Sequence, residues 1–280
     1  SRGAMTDLSL FPTGVAYTPA EELIINHIVE KPREFLLQSI QDVAASLGIS
    51  EATVSRFARH AGFGDFKTLK NAVAARSLGP ADKMSASIDE GAGDAQAFLR
   101  QQRSNIDRTL EGLDEESFAK AVHALVAARR IFLHGKGASA CVAELLRFRL
   151  NRYGMLVELL PAGGTELMEG LVHAGQSDVL VTFGFQRVSP EGQALLDHGE
   201  KVGCTTVLFT DRYVRSAGPR ATIELYTYRG EPRAYHSMAS AVALVDALVV
   251  GIAAQLDGPA LETLDRIKEL KRAYGHLLAR

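Results

Sequence analysis

Residues 39–62 read SIQDVAASLGISEATVSRFARHAG, and this stretch decides how the rest of the chain is interpreted. Its apolar residues recur at helical intervals up to Gly48, a residue type favoured where a helix ends in the left-handed conformation. Ser39 and Asp42 have the spacing of a capping box, and Ser50 is suited to cap a second helix. The stretch therefore predicts two short helices joined by a tight turn, which is a helix-turn-helix.

The second of these helices has polar side chains that suit the major groove of DNA. It would bury Val54 and Phe57 and leave its polar residues on faces open to a partner. Thr53 and Ser55 could bond to base edges or phosphates, Arg56 could pair with guanine, and basic residues further along could hold the phosphate backbone. The positions predicted to contact DNA are Ser50, Thr53, Ser55, Arg56, Arg59, His60, Lys67 and Lys70.

Charge distinguishes this interpretation from the alternative of an ordinary helical hairpin within a core. Residues 51–76 contain five basic residues against only Glu51 and Asp65, whereas the whole chain has a net charge of −2. Positive charge on the contact surface is what DNA binding requires. The local excess favours double-stranded DNA as a partner.

The composition limits the class of protein. With 280 residues, of which 46% are hydrophobic, the chain is long enough for two folded domains. The longest apolar run, 241–254, contains Asp246 and is too short for a membrane span, so we predict a buried helix and no membrane partner. Cys141 and Cys204 lack metal-ligand spacing, so no metal site is expected. Because no secretion signal is evident, we expect a cytoplasmic protein.

The order of elements predicts two domains of different class. Residues 5–77 are predicted to form an all-α helix-turn-helix domain, and residues 78–93, rich in Gly, Ser, Ala and Asp, to form a linker. Within residues 94–280, short apolar runs alternate with helical segments from Arg130 onward. This alternation predicts an α/β domain with an open parallel sheet, whose ligand site lies beyond the carboxyl ends of the strands.

A glycine-rich turn follows the first predicted strand of the second domain. Gly135 and Gly137 would let backbone N–H groups approach a ligand, and Ser139 adds a hydroxyl where the next helix begins. Because the start of a helix favours negative charge, we expect a small anionic metabolite to bind here. The alternative is that the glycines only form a tight strand-to-helix turn.

The run SEATVSRFARHAGFGDFKTLK at residues 50–70 resembles the recognition helix and following turn of RpiR/MurR-type bacterial transcriptional regulators. The resemblance covers residues 18–76. It implies that the remainder is a sugar-isomerase-type (SIS) domain that senses a phosphosugar or sugar acid. A homodimer or homotetramer is expected, and no cofactor is expected.

The second turn at the ligand site departs from what the resemblance implies. SIS domains usually have a serine-rich S-x-S-G-x-T sequence after the third strand, but residues 182–191 here read TFGFQRVSPE. Arg187 could pair with a phosphate or carboxylate while Gln186 and Ser189 bind hydroxyls. Alternatively, Phe185 fills the site, Arg187 pairs with an acidic neighbour, and the domain only assembles subunits. The predicted ligand-binding residues are Gly135, Gly137, Ser139, Gly184, Gln186, Arg187 and Ser189.

Three functions follow from these patterns. The favoured one is a regulator whose operator binding responds to a metabolite, and the second is a regulator that needs no ligand. The third is a phosphosugar isomerase, which requires a base placed beside the substrate. The conceivable bases are His134, His236, Glu144 and Glu166, but the sequence does not group them, so we expect no enzymatic activity. His134 is expected to be a packed or hydrogen-bonded residue, and Ser237 to cap a helix.

Overall fold

The computed structural model describes residues 10–11, 16–185, 188–211, 221–231 and 234–277. The chain forms two compact units. The first unit ends at Phe98 and also takes in Gly230–His236, and the second consists of Leu99–Arg229 and the residues from Ser237 onward. The first unit is helical and the second is α/β, so the predicted fold class is confirmed.

Side-chain caps determine where the helices of the first unit begin. Thr18 and Glu21 form one capping box, Ser39 and Asp42 form the predicted one, and Ser50 accepts a hydrogen bond from the Thr53 amide. The helices are α1 (Pro19–Glu30), α2 (Pro32–Leu37), α3 (Ile40–Leu47), α4 (Glu51–His60) and α5 (Phe66–Ser77).

These helices enclose one small apolar core. Phe35, Val54, Phe57 and Leu69 have no exposed surface, and they come from three different helices. The Phe35 ring packs edge-on against Phe66 at 5.7 Å between centroids. Because α4 supplies two of the fully buried side chains, its opposite face is turned to solvent.

The segment that the sequence predicts as a linker is helical. α6 (Pro80–Ser87) begins at a proline, and the Gly79 amide donates to Asp82 at 3.0 Å. A π-helical turn over Ile88–Ala92 follows, in which Gly91 has a φ of 90° and interrupts the helix. The next helix is α7 (Ala95–Glu111). Small polar residues therefore did not prevent helix formation here.

The second unit is built on a five-stranded parallel sheet in the order β2-β1-β3-β4-β5. The strands are β1 (Ile131–His134), β2 (Val157–Leu159), β3 (Val179–Phe183), β4 (Thr205–Thr210) and β5 (Ile223–Tyr226). The helices that follow α7 are α8 (Glu115–Ala127), α9 (Ala138–Asn151), α10 (Thr165–Leu171), α11 (Pro190–Val202), α12 (Ala239–Leu256) and α13 (Gly258–Tyr274). Since all strands run the same way, their carboxyl ends meet along one side, which we call the carboxyl edge.

Alternating residues of the strands pack into two cores on opposite faces of the sheet. Leu133 and Val181 pack in a core that includes side chains of α8, α9 and α12. Phe132 and Leu180 pack in the other, with side chains of α10 and α11. Burial on both faces explains why the strands read as continuous apolar runs.

Helix α12 is long and apolar enough to cross a membrane by length and composition alone, with a mean hydropathy of 2.0 over 18 residues. Its Val245, Leu248 and Ile252 are fully buried in the core of the second unit. Packing in this core accounts for the buried face of the helix, which makes up 39% of its residues, whereas Val250 is exposed.

Candidate functional site

The polar face of α4 lies opposite its buried side. Val54, Phe57 and Ala58 are buried, whereas Arg56 and Arg59 are exposed. Gly48 ends α3 with a φ of 66°, which lets the chain turn tightly into α4. The spacing that predicted a helix-turn-helix is thus realised, with a basic surface on the second helix.

Hydrogen bonds order the first turn of this face. The Ser50 and Thr53 hydroxyls are 2.9 Å apart, and Arg56 donates to the Thr53 hydroxyl at 3.2 Å. Arg59 reaches the Ser55 carbonyl at 3.5 Å. Arg56 therefore stands in a defined position on the exposed side of the helix before any partner arrives.

Two of the predicted DNA contacts are used by the fold itself. His60 Nδ1 lies 2.8 Å from Glu21 Oε1 and thereby ties α4 to α1. Lys70 donates to the Gln38 carbonyl at 2.7 Å and ties α5 to the end of α2. Lys67, in contrast, is exposed.

Glu21 is a buried carboxylate at the base of this unit, with a side chain only 9% exposed. Burial alone would raise the pKa of Glu21, but hydrogen bonds from the Thr18 backbone, His60 and the Thr18 hydroxyl together lower it. The charged form is therefore the one that the folded unit favours.

In the second unit, the glycine-rich turn after β1 needs its glycines. A Cβ on Gly135 would lie 2.6 Å from the Ser139 carbonyl oxygen, and Gly137 has a φ of 61°. Ser139 is 7% exposed in the first turn of α9. The three residues are brought together at the carboxyl edge, as predicted.

The turn after β3 does not offer its Gly184 amide to a ligand, as a phosphate-binding turn would. The Gly184 amide donates to the Phe209 carbonyl of β4 at 2.9 Å, so it is committed to the sheet and does not point to a ligand. A Cβ on Gly184 would come within 2.9 Å of Val188, so close packing also requires this glycine. Ser189 caps α11 by accepting from the Gly192 amide at 3.1 Å. Gln186 and Arg187 lie outside the described residues.

A buried arginine that the sequence did not reveal lies beside this turn. Arg229 is 5% exposed and donates twice to Asp211 Oδ2, at 2.8 and 3.2 Å. Its guanidinium lies 4.1 Å from the centroid of the Phe185 ring. Asp211 and Arg229 follow β4 and β5, so only the pairing of these strands brings them to Phe185.

A second charged pair at the carboxyl edge was also missed. Lys136, within the glycine-rich turn, donates to Glu191 Oε1 at 2.7 Å. Glu191 belongs to the first turn of α11, where the helix dipole favours acidic residues. This position at a predicted helix start was the one feature of the sequence that could have pointed to Glu191.

The remaining polar residues take structural positions. His134 is 1% exposed, with Nδ1 3.2 Å from the Thr182 hydroxyl, and burial lowers its pKa. Ser237 accepts from the Ala239 amide at 3.1 Å just before α12, whose N-cap residue is Met238. Glu144 is paired with Arg147 on its own helix. Among the described residues, no group of three or more His, Cys, Asp or Glu side chains could hold a metal ion.

Two protein-family models match the chain. Residues 14–77 match the helix-turn-helix domain of the rpiR family, and residues 124–251 match the SIS domain. The two matches fall on the two units that carry the polar face of α4 and the carboxyl edge, and they support the resemblance found from residues 50–70.

Similar proteins of known sequence align with most of the chain. The bifunctional protein glk of Paraburkholderia xenovorans is 29% identical over 92% of this chain, and that of Burkholderia orbicola is 31% identical over 85%. The chain spans only 41% and 38% of the length of these two proteins. An HTH-type transcriptional regulator of Caldanaerobacter subterraneus is 25% identical, with 91% of this chain and 93% of that protein covered.

Two solved structures share the fold. The sugar isomerase domain of an RpiR transcription factor from Sphaerobacter thermophilus has a TM-score of 0.58 and 26% identity, covering 62% of this chain and 97% of that one. The NanR protein of Vibrio vulnificus, complexed with ManNAc-6P, has a TM-score of 0.59 and 21% identity, covering 94% and 96%. At its lower identity, the second likeness concerns the fold alone.

Proposed function

The chain belongs to the rpiR family of helix-turn-helix transcriptional regulators, and on that premise we propose that a small anionic metabolite bound by its SIS domain controls its binding to a DNA operator. The observation that carries the DNA half of this proposal is the ordered, exposed face of α4. Arg56, held by the Thr53 hydroxyl, is suited to pair with a guanine in the major groove.

The other polar residues divide by the kind of contact they can make. Ser50, Thr53 and Ser55 lie at or near the start of α4, where hydroxyls can reach base edges or phosphates. Arg59 and Lys67 are exposed cations suited to phosphates. His60 and Lys70 contribute mainly by holding the helices together, because both bond to other parts of the unit.

The sensing half of the proposal rests on the carboxyl edge. Gly135, Gly137 and Ser139 form a turn that opens helix α9, where backbone N–H groups can approach a bound effector. Ser189 and the segment around it lie after the neighbouring strand β3. NanR binds ManNAc-6P, and we extend that chemistry here to a phosphosugar or sugar acid as the effector.

Control of DNA binding would follow from differential affinity. An effector that binds one arrangement of the regulator more tightly than another shifts the population toward that arrangement. We propose a homodimer or homotetramer in the cytoplasm, since paired recognition helices match the two halves of a pseudo-palindromic operator.

A regulator that needs no ligand is the second candidate, and a specific observation favours it. Phe185 is half-buried beneath the Arg229 guanidinium, and the Gly184 amide is bonded to β4. Neither of them offers a free donor to a phosphate. In that case the SIS domain would only assemble subunits.

DNA binding is tested first by selecting duplexes from a random library with the full chain and measuring their affinity by fluorescence anisotropy. Arg56→Ala should weaken binding to a selected duplex by a factor between about 5 and about 150, corresponding to about 1–3 kcal/mol, because a base contact is lost. Binding to unselected duplexes should change little.

Arg103→Ala is the matched control, since it removes an exposed cation from α7. Equal effects of the two substitutions on the selected duplex would remove the assignment of Arg56 to base recognition. Failure of the wild type to enrich any duplex would overturn the DNA-binding proposal itself.

A further inference from the structure

The ion pair between Lys136 and Glu191 joins the two turns of the candidate ligand site. Lys136 follows β1 and Glu191 opens α11 after β3, and these strands are neighbours in the sheet. Their Nζ and Oε1 atoms are 2.7 Å apart. The cation of the glycine-rich turn therefore already has an internal partner.

Glu191 is held in its charged form. Its pKa is lowered to about 2, chiefly by the hydrogen bond from Lys136. The carboxylate also packs closely, because a Cβ on Gly163 would lie 3.2 Å from Glu191 Oε1. At neutral pH this position at the carboxyl edge is occupied by a fixed negative charge.

One oxygen of this carboxylate is available for a donor. The Glu191 side chain is 21% exposed, but its Oε2 atom is itself buried and has no hydrogen-bond partner among the described residues. A buried acceptor without a donor is uncommon in folded proteins, and it suits a ligand that brings one. His134 on β1 does not offset the charge, because burial lowers its pKa and favours the neutral imidazole.

We propose that Glu191 selects which part of the effector meets the glycine-rich turn. A hydroxyl-bearing part, as in a polyol or sugar, donates to Glu191 Oε2, while the acidic group of the effector binds elsewhere along the carboxyl edge. A free dianion is rejected because it meets the Glu191 charge and finds Lys136 paired. This inference rests on the proposed sensing function and assigns the orientation of its ligand.

Inorganic phosphate is the probe that tests the selection. Isothermal titration with phosphate is carried out on the full-length wild type, Glu191→Gln, Glu191→Gln combined with Lys136→Met, and Glu200→Gln. Glu200 is an exposed acidic residue on the same helix, so it controls for the change in net charge. Thermal melts establish that each variant is folded, and Glu191→Ala replaces Glu191→Gln if the latter does not fold.

Glu191→Gln should bind phosphate at least tenfold more tightly than the wild type and Glu200→Gln, and the added Lys136→Met should remove the gain. Equal affinity of wild type and Glu191→Gln, including the absence of binding in both, would overturn the inference. Because no DNA is present in these titrations, their failure leaves operator binding standing, and the Arg56→Ala comparison can fail independently.

Discussion

The first unit has its candidate DNA contacts mainly on one helix, whereas the second unit collects its candidate ligand site from strand ends that are far apart in the chain. Arg56 and Arg59 stand exposed on α4. Arg229, in contrast, is 5% exposed and bonded to Asp211, and Lys136 is paired with Glu191.

The difference teaches how each kind of site is encoded. A helical face is set by residues three and four positions apart, so the sequence shows it directly. The carboxyl edge of a parallel sheet is set by strand order, which brings together residues separated by long stretches of chain. The exposed arginines of α4 can bind a polyanion such as DNA. Lys136 and Arg229 at the carboxyl edge, in contrast, are already paired with carboxylates of the same domain.

Phe57→Ala should give the largest effect and tests whether the helical face depends on the core behind it. Phe57 has no exposed surface, so we expect a loss of about 3–5 kcal/mol in the free energy of unfolding. Urea denaturation measures this loss, and hydrogen exchange should accelerate most in α4. Leu37→Ala, at an 83% exposed position, is the control and should change little. A loss for Phe57→Ala as small as that for Leu37→Ala would contradict the dependence of α4 on the core behind it.

Arg229→Met should give the next largest effect and tests whether the sheet edge depends on pairing between distant residues. Removing one partner of a buried ion pair leaves the other poorly compensated, and we expect a loss of about 3 kcal/mol in stability. Lys120→Met breaks the exposed pair with Glu116 and should lose much less. Denaturation curves of the two variants compare them. Similar small losses would show that the Arg229 pair is not a determinant of the edge.

Glu21→Gln should have the smallest effect on stability. Its dependence on pH tests whether a buried charge also stabilises the helical unit. Because the folded-state pKa of Glu21 lies below its ordinary value of 4.5, its contribution to stability is complete above that value and is lost as pH falls through the lowered folded pKa. At neutral pH, we expect Glu21→Gln to lose about 1.5 kcal/mol or more, since hydrogen bonds to a charged group are removed.

The difference between wild type and Glu21→Gln should shrink as the solution is acidified from pH 7 toward pH ~3. Urea midpoints at several pH values measure it, with Glu22→Gln, exposed on the same helix, as the control. A difference that stays constant over this range would contradict a role for the ionised Glu21.

Much of the fold could be predicted from local patterns. The capping box of Ser39 and Asp42, the left-handed Gly48 and the cap at Ser50 were all readable, because each acts within a few residues of itself. The parallel sheet was readable from its apolar runs. The segment 78–93 stays a predicted linker, but its Gly- and Ser-rich composition did not reveal the helix that begins at Pro80.

The candidate ligand site was only partly readable. The glycine-rich turn could be found, because the local backbone at Gly135 and Gly137 requires glycine. The roles of Lys136, Glu191 and Arg229 could not, because their partners are distant in the sequence. His60 was assigned to DNA from its place on α4, yet its Glu21 partner lies on another helix.

By itself, the sequence determined the helix-turn-helix, its basic face and the class of each domain, since caps and periodicity act through neighbours along the chain. The tertiary structure alone decided which charges are paired. It turned the Gly184 amide into the sheet, set Arg229 over Phe185 and joined Lys136 to Glu191. The physical reason is that β1, β3, β4 and β5 lie side by side only after folding, and their carboxyl ends then share one edge.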